Sequence, residues 1–348
     1  EVLEIPHDNK TQKIGIITIP TFYLDFNAFQ NGEEDYRSTT KDVHKLLGEL
    51  LEENIDSLVL DLRSNGGGSL IEATQLAGLF IDKGPIVQVR DSSGHIEIHK
   101  DKDANISYTG PMVVLVDRFS ASASEIVASA LQDYGRAVIV GETTFGKGSV
   151  QQLVDLNRFG RKNDANLGQL KATIAQYYRI NGESTQHRGV EPDIPFEASY
   201  DKSKQGERSL DNALPWTKIS PTQFNNRHIS KNIVANLEQQ HVKRTKNDKK
   251  YQSLIKLYDL NESLQNQTEL SLNQSEREKT FSRLEKDRKE FEQLIGLRDT
   301  SNDGESDDNK DDDKDNIEND VLLIEAAQIS ADLNSYWNRA KQRMVVQQ

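Results

Sequence analysis

Apolar residues follow two kinds of spacing in the first half of the chain and one in the second. Residues 13–19, Lys-Ile-Gly-Ile-Ile-Thr-Ile, form a short apolar run stopped by Pro20, which predicts a β-strand. Residues 39–54 switch to helical spacing, with Val43, Leu46, Leu47, Leu50 and Leu51 on one face. Residues 57–62 read as a buried strand running into the triple glycine at Gly66, Gly67 and Gly68, and helical spacing resumes over 70–80. Residues 112–116 predict a buried strand, 124–134 a helix and 137–140 a further strand. Residues 149–154 look extended, and 170–180 read as a strand carrying Tyr177 and Tyr178. Strand and helix alternate from residue 13 to about 140, which implies an α/β layer structure.

This core is expected to end near Pro192 and Pro195, giving a first domain over residues 1–200. A polar, strand-poor stretch follows at 199–209. From about Asn232 the pattern is helical and highly charged, so residues 201–348 are expected to be a helical C-terminal extension. Its clearest helices are 251–264, 275–297 and an amphipathic segment over 321–343 with Trp337. Residues 299–320 are low-complexity and expected to be disordered. There is no clear internal repeat.

Charge changes this picture little. The chain has a net charge of −13, but eleven acidic against two basic residues between Asp299 and Asp320 supply −9 of it. The remainder makes no case for nucleic-acid binding. With no cysteine, disulfides, thiolate catalysis and cysteine-ligated metals are excluded. The mean hydropathy is −0.71, and no apolar run approaches the roughly 18 residues of a spanning helix. Membrane association is therefore expected to be peripheral at most. The chain starts at Glu1 without a signal peptide and is read as a piece of a longer protein.

Three stretches carry candidate chemistry. Ser122 precedes Ala123-Ser124-Glu125 and so opens a helix, where unbonded N–H groups and the positive dipole end stabilise a developing oxyanion; the Ala123 amide is the natural donor. The same residues also read as a capping box, and Ser120 and Ser124 compete with Ser122 as nucleophiles. Lys147 lies between Gly146 and Gly148 and serves as a base only if its pKa falls by roughly three units. The glycines equally suit a plain turn. The Asn65-Gly66-Gly67-Gly68 turn, between strand and helix, either binds an anion or reverses the chain. Together the three supply a nucleophile, a base and an oxyanion site, the parts of a serine–lysine hydrolase that needs neither metal nor cofactor.

Other motifs lack their companions. Gly141 to Lys147 matches the start of a P-loop, but Gly148 replaces the magnesium-binding Ser or Thr. Ser38-Thr39-Thr40-Lys41 matches S-x-x-K without S-D-N or K-T-G and reads as a helix start. His95 and His99 bracket a short polar strand, where four-residue spacing does not suit a metal. The acidic run lacks the ligand spacing of a calcium loop.

The combined motifs resemble the C-terminal processing peptidases, or tail-specific proteases. The resemblance rests on Asn65-Gly66-Gly67-Gly68, on Phe119 to Glu125, and on Phe145-Gly146-Lys147-Gly148-Ser149-Val150-Gln151. The 25 residues from Ser122 to Lys147 match the family interval and select Ser122 over its neighbours. By the same resemblance Gln151 holds Lys147, and Gly66 or Gly67 joins Ala123 in the oxyanion hole. The family implies a crotonase- and Clp-protease-like spiral core and endopeptidase activity on envelope proteins with apolar C-termini. The extension looks like that of the large periplasmic proteases of Gram-negative bacteria, some associated with the inner membrane, and a lipoprotein adaptor is a further implied partner. It also implies a PDZ domain ahead of this core. A scaffold module and a crotonase-like acyl-CoA enzyme are the alternative functions.

Overall fold

The computed structural model describes residues 1–8, 10–159, 166–197, 205–225, 229–295, 317 and 319–346. Ten strands lie among them: β1 (Val2–His7), β2 (Lys10–Thr18), β3 (Ser57–Asp61), β4 (Gly84–Asp91), β5 (Ile96–Asp101), β6 (Met112–Val116), β7 (Val138–Gly141), β8 (Ser149–Asp155), β9 (Gln169–Tyr178) and β10 (Ile194–Pro195). They make a six-stranded sheet in the order β1-β2-β3-β6-β7-β10 and a four-stranded sheet in the order β5-β4-β9-β8. In the first, β1 is antiparallel to β2 and the other neighbours are parallel. The second is antiparallel throughout.

The central strands β3 and β6 are buried at every position, which is why both read as continuous apolar runs rather than alternating ones. Their side chains divide by parity. Leu58, Leu60, Met112 and Val114 face a core shared with helices α2 (Thr39–Glu52), α3 (Leu70–Gly78) and α4 (Ala123–Asp133). Val59, Val113 and Leu115 face the opposite way. The predicted helices and strands of residues 13–180 are all present, with ends shifted by a few residues. Three strands escaped the hydrophobic pattern, one of them the two-residue β10. β1 is a partly exposed edge strand containing Pro6, and β4 opens on Gly84-Pro85, so neither carries a clean period.

The helical C-terminal region contains α5 (Lys231–Thr245), α6 (Lys249–Gln265), α7 (Gln274–Ile295) and α8 (Val321–Val346); a short α1 (Phe26–Asn31) precedes α2. The amphipathic helix expected inside a separate extension instead closes the core. Ala326, Ala327, Ile329, Ala331 and Leu333 of α8 lie on Val59, Val113, Leu115, Val138 and Val140. The small side chains let the helix approach, and polar contacts fix its register: Ser330 Oγ donates to Ser57 Oγ at 2.8 Å and Asn334 Nδ2 to Gln12 Oε1 at 2.9 Å. Asp320, expected to be disordered, accepts from the Leu323 amide at 3.0 Å and pairs with Arg63 at 2.6 Å. Residues 299–316 and 318 of the acidic stretch, and 199–204 of the polar one, lie outside the described residues.

A chain ending after Ile295 exposes the sheet face made by Val59, Val113, Leu115, Val138 and Val140. Such a chain is expected to lose cooperative thermal unfolding, followed by circular dichroism beside the full sequence.

Candidate active site

The turn from β6 into α4 sets Ser122 apart from its neighbours. Ser120 and Ser124 are fully buried. Ser120 Oγ donates to the Leu62 carbonyl at 2.8 Å and Ser124 Oγ to the Asn65 carbonyl at 2.8 Å. Both hydroxyls tie the serine turn to the end of β3. Ser122 is partly exposed, and its hydroxyl donates to no acceptor among the described residues. Its backbone sits at φ 56°, ψ −110°, an unfavourable region for a residue with a Cβ. Of the three candidate serines, Ser122 alone presents its hydroxyl for chemistry.

The glycine turn lies against this serine. A Cβ on Gly67, at φ +104°, would stand 2.8 Å from Ser122 Cβ and 3.0 Å from the Ala123 nitrogen, so only glycine permits the approach. Buried Asn65 braces the turn, donating from Nδ2 to the Ile19 carbonyl at 2.8 Å and accepting from the Gly67 amide at 2.9 Å. Gly67, expected as an oxyanion donor, thus has its N–H directed to Asn65. The amides of Ala123, Gly66 and Gly68 have no acceptor among the described residues.

Lys147 sits on the loop between β7 and β8. Gly146, at φ +90°, packs against His187, whose amide donates to the Gly146 carbonyl at 2.8 Å. The segment after Lys147 is strand β8, not the helix that a P-loop requires. Burial, and secondarily the ammonium of Lys171, push the Lys147 amine below its ordinary pKa; the carboxylates of Glu207 and Glu125 oppose this. No hydrogen bond or ion pair joins the Lys147 amine to another described residue, Ser122 included. Gln151 lies exposed on β8, beside a register shift, and its side chain makes no hydrogen bond among the described residues.

What joins the serine turn to the lysine loop is Glu125. The capping-box pattern placed this residue three positions after Ser122, and its carboxylate does accept from the Ser122 amide at 2.8 Å. It also accepts from the amides of Gly146 at 2.8 Å and Lys147 at 3.0 Å and from Thr144 Oγ1 at 2.7 Å. The Tyr177 hydroxyl, reaching in from β9, lies within hydrogen-bonding range of the Lys147 and Ser122 carbonyls and of Glu125. Glu125 is fully buried, and burial raises its pKa to about 7 against the pull of its four donors. Thr144 and Tyr177 gave no sequence signal, because their roles depend on a carboxylate 19 and 52 positions away.

The sequence decoys resolve as structure. Ser38 caps α2, accepting from the Lys41 amide at 3.3 Å. His95 and His99 bracket β5, and no described His, Asp or Glu residues form a metal-binding group. Among the described residues, no helix is long and apolar enough to cross a membrane.

A carboxyl group whose pKa is higher folded than unfolded favours the native state below the unfolded value, and that contribution is lost as pH rises through the folded value. For Glu125 the window runs from 4.5 to about 7. Across it, the unfolding free energy of the wild type should fall relative to Glu125→Gln by on the order of 3 kcal/mol. Urea denaturation of both proteins at the two ends of the window checks this.

Comparison with known proteins places this geometry. Residues 13–196 match the model of peptidase family S41, and residues 200–335 match the C-terminal domain of tail specific protease. The chain is 41% identical over 265 residues to the tail-specific protease of Haemophilus influenzae, covering 75% of this chain and 36% of that one. It is 33% identical over 193 residues to the chloroplastic C-terminal processing peptidase of Tetradesmus obliquus, covering 56% of this chain and 37% of the relative. Among solved structures, the photosystem II D1 C-terminal processing protease shares 34% identity and a TM-score of 0.45, covering 56% of this chain and 45% of that one. The chain therefore spans little more than a third of the length of these curated relatives. With more than half of its residues matched by that family's model, the chain belongs to peptidase family S41.

Proposed function

We propose that this chain is the catalytic core of a serine endopeptidase working through a Ser122–Lys147 dyad. The observation that carries the reading is the Glu125 carboxylate, which binds the backbone of Ser122 and of half-buried Lys147 together. In the neutral form Lys147 Nζ takes the proton of Ser122 Oγ as that oxygen bonds to a peptide carbonyl carbon. The resulting oxyanion is held by the Ala123 amide and a glycine-turn amide, Gly66 or Gly68 being the unoccupied ones. The Lys147 ammonium then gives its proton to the leaving amine, the C–N bond breaks, and water hydrolyses the acyl-serine with Lys147 again as base. Gln151, four residues on in β8, is assigned by the family resemblance to steady the amine. The lowered pKa of Lys147 supports the base role, because a lysine of ordinary pKa is almost wholly protonated near neutrality.

The names of the curated relatives support protein substrates processed at their C-termini. The substrates we infer are envelope proteins with apolar C-termini, in a Gram-negative periplasm. A second, additional reading is adaptor binding, placed on α7 and the loop before it, where Leu270, Leu272 and Phe281 stand exposed.

In the natural full-length protein, Ser122→Ala should abolish cleavage of an unfolded model substrate. Lys147→Ala should lower kcat by about 10²–10⁴-fold. Full activity in either variant overturns the dyad. Ser120→Ala should lower stability by about 0.5–1.5 kcal/mol, because it removes a buried hydrogen bond to the Leu62 carbonyl, which keeps only the Asn65 amide at 3.3 Å, and should retain far more activity than Ser122→Ala. Cleavage followed by gel electrophoresis and thermal melts separate the two effects.

A further inference from the structure

The chain beyond the α/β core returns to the lysine loop. Residues 206–222 run along residues 180–188 and the loop bearing Lys147. Gly206, at φ +76°, lies so close to Phe145 that a Cβ there would stand 2.4 Å from the Phe145 carbonyl oxygen, and the Glu207 amide donates to that oxygen at 3.0 Å. Fully buried Gln186 links the two segments: its Oε1 accepts from the Gly148 amide at 2.7 Å, and its Nε2 donates to Glu207 Oε1 at 3.2 Å and to the Leu214 carbonyl at 2.9 Å. Trp216 Nε1 donates to the Ser184 carbonyl at 2.9 Å, under an Arg188 guanidinium 3.8 Å above its ring. The amides of Ile219 and Thr222 continue the line to Gly182 and Ile180.

We propose that residues 206–216 are a positioning strap of the catalytic site, fixing the Lys147 loop through Gln186 and the Phe145 carbonyl and setting the Glu207 carboxylate beside the base. This rests on the Ser122–Lys147 reading. Glu125 grips Gly146 and Lys147 from the α4 side, and Gln186 grips Gly148 from the other, so the base is held between two buried side chains. The ionisable groups around the Lys147 amine are Lys171 and Tyr177 on β9, Glu125 on α4 and Glu207 on the strap, with His187 and Arg188 on the neighbouring loop. Glu207 stands against Lys171: its negative charge favours the protonated amine, and the Lys171 ammonium favours the neutral one.

The test is the pH profile of kcat/KM for the natural full-length protein. Activity rises with pH as Lys147 loses its proton. Glu207→Gln keeps an oxygen to accept from Gln186 but removes the charge, so the acid limb should move to lower pH. Gln186→Leu frees Gly148 and should lower kcat about tenfold or more with KM within about twofold, since the strap holds the base rather than the substrate. An acid limb in Glu207→Gln that superimposes on the wild type overturns the proposal, as does a Gln186→Leu loss that only tracks the folded fraction. If Gln186→Leu does not fold, Glu207→Gln decides alone. Retained activity in Lys147→Ala would sink the dyad itself, a failure separate from that of the strap.

Discussion

The active-site region depends on one buried carboxylate with more than one claim on it. Glu125 is fully buried, so its charge is tolerable only while the amides of Ser122, Gly146 and Lys147 and the hydroxyl of Thr144 point at it. Those donors come from the N-terminus of one helix and from a loop some twenty residues later. Satisfying the carboxylate therefore brings the serine turn and the lysine loop to the same place. It also stabilises a Ser122 backbone at φ 56° that local energetics disfavour. With its pKa raised to about 7, the group sits near the balance between burial and hydrogen bonding, so losing one donor should tip it towards the neutral form.

Much of this was legible in the sequence, for physical reasons. Strands buried on both faces, such as β3 and β6, write themselves as unbroken apolar runs, and helix α2 carries the spacing of one buried face. Ser122, Ala123 and Lys147 were marked by short local motifs whose spacing is itself the signal. What the sequence hid was partnership. Glu125 looked like a helix cap, and its bonds to Gly146 and Lys147 appear only when the chain is folded. Gly67 looked like a donor, but its neighbour Asn65 takes its N–H, leaving Gly67 to provide space beside Ser122. A one-dimensional motif records which residues are present, not which of their atoms are already engaged.

How the C-terminal region packs is the other point that pattern alone left open. Helix α8 was recognisable as amphipathic, but its apolar face gave no address. That face covers the second side of the main sheet, while Arg63 and Asp320 pin the helix start to the end of β3. Two regions matched as separate family segments, 13–196 and 200–335, are thus packed as one body around the sheet. The segment between them crosses the lysine loop on its way to α5.

The most direct test of the central account is the pH dependence of covalent labelling by a fluorophosphonate probe, read by peptide mass spectrometry. The account predicts a single modified residue, Ser122, with a labelling rate that rises through one ionisation below the ordinary lysine value and is lost in Lys147→Ala. Labelling at another serine, or a Ser122 rate indifferent to Lys147, would contradict it.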